Sequence, residues 1–131
     1  MANLAMTGAL GRPVLCIVDA DSRRGMLHAF LHAVGFDVHA FDDGAALLLS
    51  GLGRQCDVLL VSVALRDMNG QELQSAFTAA GVHVPVIFLF DTPDAPLEAR
   101  LRARGAAGVL HKPVSGQDVL GAVRVALAGA W

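Results

Sequence analysis

Five short apolar runs, at residues 14–18, 38–41, 58–63, 86–90 and 109–110, recur along the chain with a helix-length segment after each. This alternation restricts the chain to few folds. The runs are short, rich in β-branched residues and bounded by turn residues, as strands are. They are nearly continuous in apolar character rather than alternating, which predicts strands covered on both faces in a parallel sheet with right-handed crossovers. The first intervening segment, 22–34, sets Leu27, Phe30, Leu31 and Val34 on one helical face and stops at Gly35. Further helices are predicted over 44–52, ending near Gly53, over 71–80, closed by Gly81, and over 96–104, closed by Gly105. The last, 116–128, carries Val119, Leu120, Val123 and Leu127 at core spacing. The expected architecture is α/β, a doubly wound five-stranded parallel sheet with five helices.

At 131 residues the chain has the length of one domain. Residues 1–12 contain Gly8 and Gly11 and no periodic pattern, so a flexible leader is expected there, with the domain spanning 13–131. Hydrophobic residues make up 54% of the chain and charged residues 17%, which predicts a large core. The longest apolar stretches, 58–65 and 84–90, fall far short of the roughly 20 residues a membrane span needs. A net charge of -2, with no run of like charges, argues against direct nucleic-acid or membrane partners. Cys16 and Cys56 lack metal-type spacing, and the N-terminus lacks the pattern of a signal peptide. Both are expected as buried thiols in a cytoplasmic protein. His28 and His32 have a spacing that binds zinc only beside a third ligand, and their helix supplies no acid or cysteine on that face.

In open parallel sheets, functional groups collect just beyond the carboxyl ends of the strands. That rule selects Asp19 after the first strand, Ser62 at the end of the third, Phe90 and Asp91 at the fourth, and His111, Lys112 and Pro113 after the fifth. Ser62 is the one small hydroxyl inside the apolar stretch of "DVLLVSVALRDMNG", residues 57–70.

Over 13–127 the chain resembles the receiver domains of bacterial two-component response regulators. The resemblance rests on "VDAD" (18–21), the spaced Arg24, Leu27, Leu31 and Gly35-Phe36, "LRDMNG" (65–70), "VPVIFLF" (84–90) and "ARGAAGVLHKP" (103–113). In detail it is most similar to receivers that precede helix-turn-helix output domains. It implies a flavodoxin-like fold with strand order 2-1-3-4-5. It also implies a chemistry in which an aspartate ending strand 3 accepts a phosphoryl group from a histidine kinase, while two acids ending strand 1 hold magnesium. A Ser/Thr after strand 4 and an aromatic on strand 5 move when phosphate arrives, and a lysine before a proline contacts it. A carboxylate attacks a phosphoryl donor only where metal and lysine cancel the charge repulsion, so these groups are needed together.

Matched by position, Ser62 stands where the acceptor aspartate is expected, with spacings to Asp19 and Lys112 that need no gap. Asp19 then matches the second acid and Val18 the first; a one-residue gap instead makes Asp19 the first acid and Ala20 the missing second. Phe90 stands at the switch Ser/Thr and Val109 at the switch aromatic. Lys112-Pro113 is intact, and the resemblance implies a cis peptide there. A serine hydroxyl brings no charge to a metal, and one carboxylate makes a poor magnesium site. The pocket of Asp19, Ser62, Phe90, Val109 and Lys112 is therefore expected to be degenerate. No catalytic residue and no cofactor are expected, with the magnesium site lost and Asp19 the sole candidate metal ligand. Ser62 is expected as a remnant hydroxyl in a local hydrogen bond, Asp19 and Lys112 as a structural ion pair, and Phe90 as the filler of the phosphate space.

The expected function is that of an atypical receiver acting in signal transduction through protein contacts, and not an enzyme. Its expected partners are a histidine kinase, another regulator, an output domain or a second copy. The resemblance assigns such contacts to the fourth helix, fifth strand and fifth helix, where Arg100, Arg104, Val125 and Trp131 are the candidates. Two other readings remain open. One is a phosphorelay receiver with an unorthodox acceptor, Ser62 or Asp67. The other is a small flavodoxin-like enzyme or ligand-binding protein, against which "DADSRRG" (19–25) lacks G-x-G-x-x-G and no nucleophile-base pair falls at matching strand ends.

Overall fold

The computed structural model describes residues 11–21, 24–65 and 67–129. The expected leader at 1–12, apart from Gly11 and Arg12, lies outside the described residues, as do Ser22, where the first helix was expected to start, and Trp131. Strands and helices alternate: β1 Val14–Val18, α1 Arg24–Ala33, β2 Asp37–Phe41, α2 Gly44–Ser50, a 3-10 turn Leu52–Gln55, β3 Val58–Ser62, α3 Gly70–Ala79, β4 Val86–Phe90, α4 Ala95–Ala103, β5 Gly108–His111 and α5 Gly116–Ala128. All five strands are parallel, in the order β2-β1-β3-β4-β5. This is the expected doubly wound, flavodoxin-like sheet.

Alternate residues of each strand serve opposite faces. Leu15, Ile17, Leu60, Ile87 and Leu89 pack with Leu31 of α1 and with Val119 and Val123 of α5. Cys16, Val18, Val61, Phe88 and Phe90 pack with Leu47 of α2, Leu73 and Phe77 of α3 and Leu101 of α4. Every residue of β1, β3 and β4 is buried, which is why their sequences run apolar up to Ser62 at the end of β3. Each large side chain so buried contributes about 1.5–3 kcal/mol relative to exposure. The edge strands β2 and β5 are mostly half-buried.

Several boundaries differ from expectation for local reasons. Helix α1 stops at Ala33, so Val34 falls in the turn and is exposed; Gly35, at φ 114°, reverses the chain and Phe36 closes the core instead. Helix α2 ends at Gly51 rather than Gly53, because the first glycine already takes the left-handed cap conformation, φ 74°, and returns its N–H to the Leu48 carbonyl. Helix α3 starts one residue early, at Gly70, behind a reciprocal cap between Asn69 and Glu72. Cys16 is buried as expected, whereas Cys56 is half-buried, since it sits in the turn before β3 rather than in the strand. Helices α1 and α5 meet closely where α5 begins. A side chain on Gly116 would start 2.6 Å from the Phe30 ring, so only glycine fits there without displacing it.

Candidate functional site

The carboxyl ends of β1, β3, β4 and β5 deliver four residues to one edge of the sheet. Asp19 follows β1 directly and is 7% exposed, its N–H bonded to the Phe41 carbonyl of β2. Its Oδ1 accepts the Asp21 amide at 3.0 Å, closing a turn, and its carbonyl accepts Arg24 Nη1 at 2.8 Å. Arg24 also pairs with Asp42 at 2.6 Å. From the opposite side, the Lys112 amide bonds to the Phe90 carbonyl, which carries β5 one residue further beside β4. The Lys112-Pro113 bond is cis, as the resemblance implies.

Lys112 Nζ lies 2.7 Å from Asp19 Oδ2, 2.9 Å from Asp91 Oδ1 and 3.6 Å from Asp21 Oδ2. The expected ion pair between Asp19 and Lys112 is thus formed, with two further carboxylates around the same ammonium. Burial opposes the lysine charge, but the hydrogen bonds and charges of Asp19 and Asp91 outweigh it and hold the Lys112 pKa above the ordinary lysine value. Asp91 was selected by its place after strand 4, but nothing in the sequence pairs it with Lys112. Asp21 was not selected at all. The only signal for it is its offset of two residues from Asp19, which lets the turn fold its carboxylate back toward the strand end.

Ser62 ends β3 and is 1% exposed. Its hydroxyl turns onto Ala64, lying 3.4 Å from both the carbonyl oxygen and the amide nitrogen of that residue. Alternation along β3 places Ser62 on the α1/α5 face, the side of Leu60 and Asp19, and its register partner on β4 is Leu89. The same alternation corrects the expectation for Phe90. Its ring packs on the opposite face, in the core under α2, α3 and α4, 5.4 Å from the His111 ring, and does not fill space beside Ser62. Val109 packs on that opposite face too, in register with Phe88. Val18 also faces that core and Ala20 is exposed, so of residues 18–20 it is Asp19 that meets Lys112.

Asp67 has a different task. Its two carboxylate oxygens accept the Gly44 and Ala45 amides at 3.1 and 2.8 Å, capping α2 from the loop before α3. Desolvation opposes the charge, and the amides of Ala45 and Gly44 outweigh it, holding the carboxyl below the ordinary aspartate value. On the face of α4 and β5, Glu98 bridges His111 at 3.0 Å and Arg102 at 3.1 Å; Arg100 and Val125 are exposed, and the exposed Arg104, expected at that face, lies instead beside Gln74, Phe77 and Thr78 of α3, because a step of two residues along the helix turns it away from Arg102.

The sequence profile of the response regulator receiver domain matches residues 14–124. The transcriptional regulatory protein TdiR of Thauera aromatica is 31% identical over 115 residues, covering 88% of this chain and 51% of its own length. The transcriptional regulatory protein FixJ of Azorhizobium caulinodans is likewise 31% identical over 115 residues, covering 88% of this chain and 54% of its own length. The chain therefore spans about half the length of these relatives. The solved response regulator StyR superposes with a TM-score of 0.80 at 30% identity, over 89% of this chain and 60% of that one. With the sheet order and the sequence profile in agreement, this chain belongs to the response regulator receiver domain family of two-component systems.

Proposed function

We propose that this protein is an atypical receiver that signals by protein contact and does not accept a phosphoryl group by the usual aspartate route. The observation that carries this reading is the state of the strand-end cluster. Lys112 is enclosed by Asp19, Asp21 and Asp91, while the group ending β3 is a buried hydroxyl turned onto Ala64. A hydroxyl supplies neither the charge nor the second ligand that a hard cation such as magnesium needs. Ser62 has no adjacent base among the described residues to activate it. Asp67 is equally unsuited as a substitute acceptor, because its oxygens are engaged by the α2 amides.

The output is assigned to the face of α4, β5 and α5, which carries the His111–Glu98–Arg102 cluster, with Val125 exposed on α5. Its partner is a histidine kinase, another regulator, an output domain or a second copy, and the site of action is the cytoplasm. Among the described residues no helix is long and apolar enough to cross a membrane. The test is a pair of amide NMR spectra recorded with and without acetyl phosphate and magnesium. Superimposable spectra are expected; shifts spreading along β4, β5 and α4 would contradict the reading.

A further inference from the structure

Between α1 and the loop joining β5 to α5 the surface opens into a cleft of about 500 Å³, within the size range of small-molecule sites. It lies beyond the carboxyl ends of the strands, where open parallel sheets take their ligands. Met26, Leu27 and Phe30 of α1 line one side, and Pro113 and Val114 of the loop the other. Leu89 of β4, in register with Ser62, is its most deeply buried lining residue. Met26 is 78% exposed at the rim, an unbranched apolar side chain able to adapt to an occupant. An occupant that covers these side chains removes apolar surface from water, the main favourable contribution to such binding.

The ionised groups in the lining cancel. Asp19 and Asp21 stand against Arg24 and Lys112, and all four are engaged within the protein. Lys112 Nζ meets Asp19 at 2.7 Å and Asp21 at 3.6 Å, and Arg24 is held by Asp42 and by the Asp19 carbonyl. A charged ligand finds no unspent counter-charge here, and taking one partner from a buried pair leaves the other uncompensated. The polar groups with capacity to spare are neutral and lie at the start of α5. Ser115 Oγ accepts the Asp118 amide, which leaves its O–H to donate. Gln117 is exposed and makes no side-chain hydrogen bond among the described residues, so its amide can both donate and accept.

We infer that this cleft binds an uncharged amphipathic small molecule, an aryl- or alkyl-chain alcohol or amide. Its apolar body lies along Leu27, Phe30, Leu89 and Val114, and its polar group meets Ser115 and Gln117, away from the ion pairs. The site needs only the cleft and holds whether or not Ser62 is ever modified. Its use as an input in place of phosphate rests on the function proposed above.

The test is an amide NMR titration of the whole chain with phenylethanol, phenylpropanol and phenylbutanol, and separately with phenylbutylamine and phenylbutyrate. No kinase or phosphoryl donor is present, so the outcome is independent of whether the chain accepts phosphate. Phenylbutanol should give saturable shifts centred on residues 26–30 and 113–117, half-saturating at or below about 1 mM. Affinity should rise about fourfold with each methylene of the alcohol series, and neither charged analogue should bind more tightly than phenylbutanol. Leu27→Trp, which fills the cleft, should abolish the shifts. Met26→Glu, at an exposed position where folding is not in question, should weaken phenylbutanol binding several-fold. An amine or carboxylate that binds more tightly than the alcohol, an affinity that does not grow with chain length, saturation elsewhere on the surface, or no saturable shift in the cleft would overturn the inference.

Discussion

Lys112 Nζ and Asp19 Oδ2 stand 2.7 Å apart, with both side chains 9% exposed, and this contact ties the loop after β5 to the end of β1. Removing one member of a buried pair leaves the other uncompensated, at a cost of about 3–5 kcal/mol. Here one ammonium stands against three carboxylates, so Lys112→Met should fall in that range at neutral pH, measured by urea unfolding. Asp19→Asn should cost less, because Asp91 and Asp21 still neutralise the lysine.

The pH dependence of that loss has a definite sign. The Lys112 pKa is raised in the folded state above its ordinary 10.5, so its contribution is fully present below 10.5 and is lost as pH climbs through the folded value. The stability gap between the wild type and Lys112→Met should stay constant from neutral pH to about 10 and narrow above it. A gap that widens with alkali would contradict the pairing.

Asp67 should behave in the opposite sense. Its carboxyl is lowered in the folded state from the ordinary 3.8, so the stability it contributes is present above 3.8 and lost as pH falls through the folded value. Asp67→Ala should destabilise the protein at neutral pH, by thermal unfolding, and the difference from wild type should vanish in acid.

Ser62→Ala should change stability by no more than about 1 kcal/mol, because both contacts of the hydroxyl to Ala64 are long at 3.4 Å and a net hydrogen bond is worth about that much. Ser62→Asp should not become a phosphoryl acceptor. Neither sequence neighbour of Asp19 supplies a second acid, Val18 being turned to the far core and Ala20 exposed, and Lys112 already holds Asp19, Asp21 and Asp91.

Substitutions on the exposed part of the α4, β5 and α5 face should separate binding from folding. Val125→Glu lies at an exposed position of α5, so its effect on stability should stay within about 0.5 kcal/mol. Self-association measured by sedimentation, or retention of a partner regulator, should fall.

The sheet is legible because five apolar runs without alternation admit little besides buried parallel strands, and the strand-end rule then selects Asp19, Ser62, Asp91 and Lys112. What escaped the sequence depends on direction rather than position. Phe90 occupies the predicted place at the end of β4, but strand alternation turns its ring to the opposite face, and its neighbour Leu89 lies beside Ser62 instead. Asp21 escaped because a turn, not a strand or helix period, brings it to Lys112. Asp67 looked like a spare acid near the pocket; only the packing of its loop against α2 gives its carboxylate two amide partners.

The central claim is that this receiver takes no phosphoryl group at its strand-end cluster. Intact-mass spectrometry of the whole chain, after incubation with acetyl phosphate and magnesium and again with a histidine kinase loaded with phosphate, measures that directly. The account predicts an unchanged mass in both reactions. A stoichiometric phosphoryl adduct mapped to Ser62, Asp19 or Asp67 would contradict it.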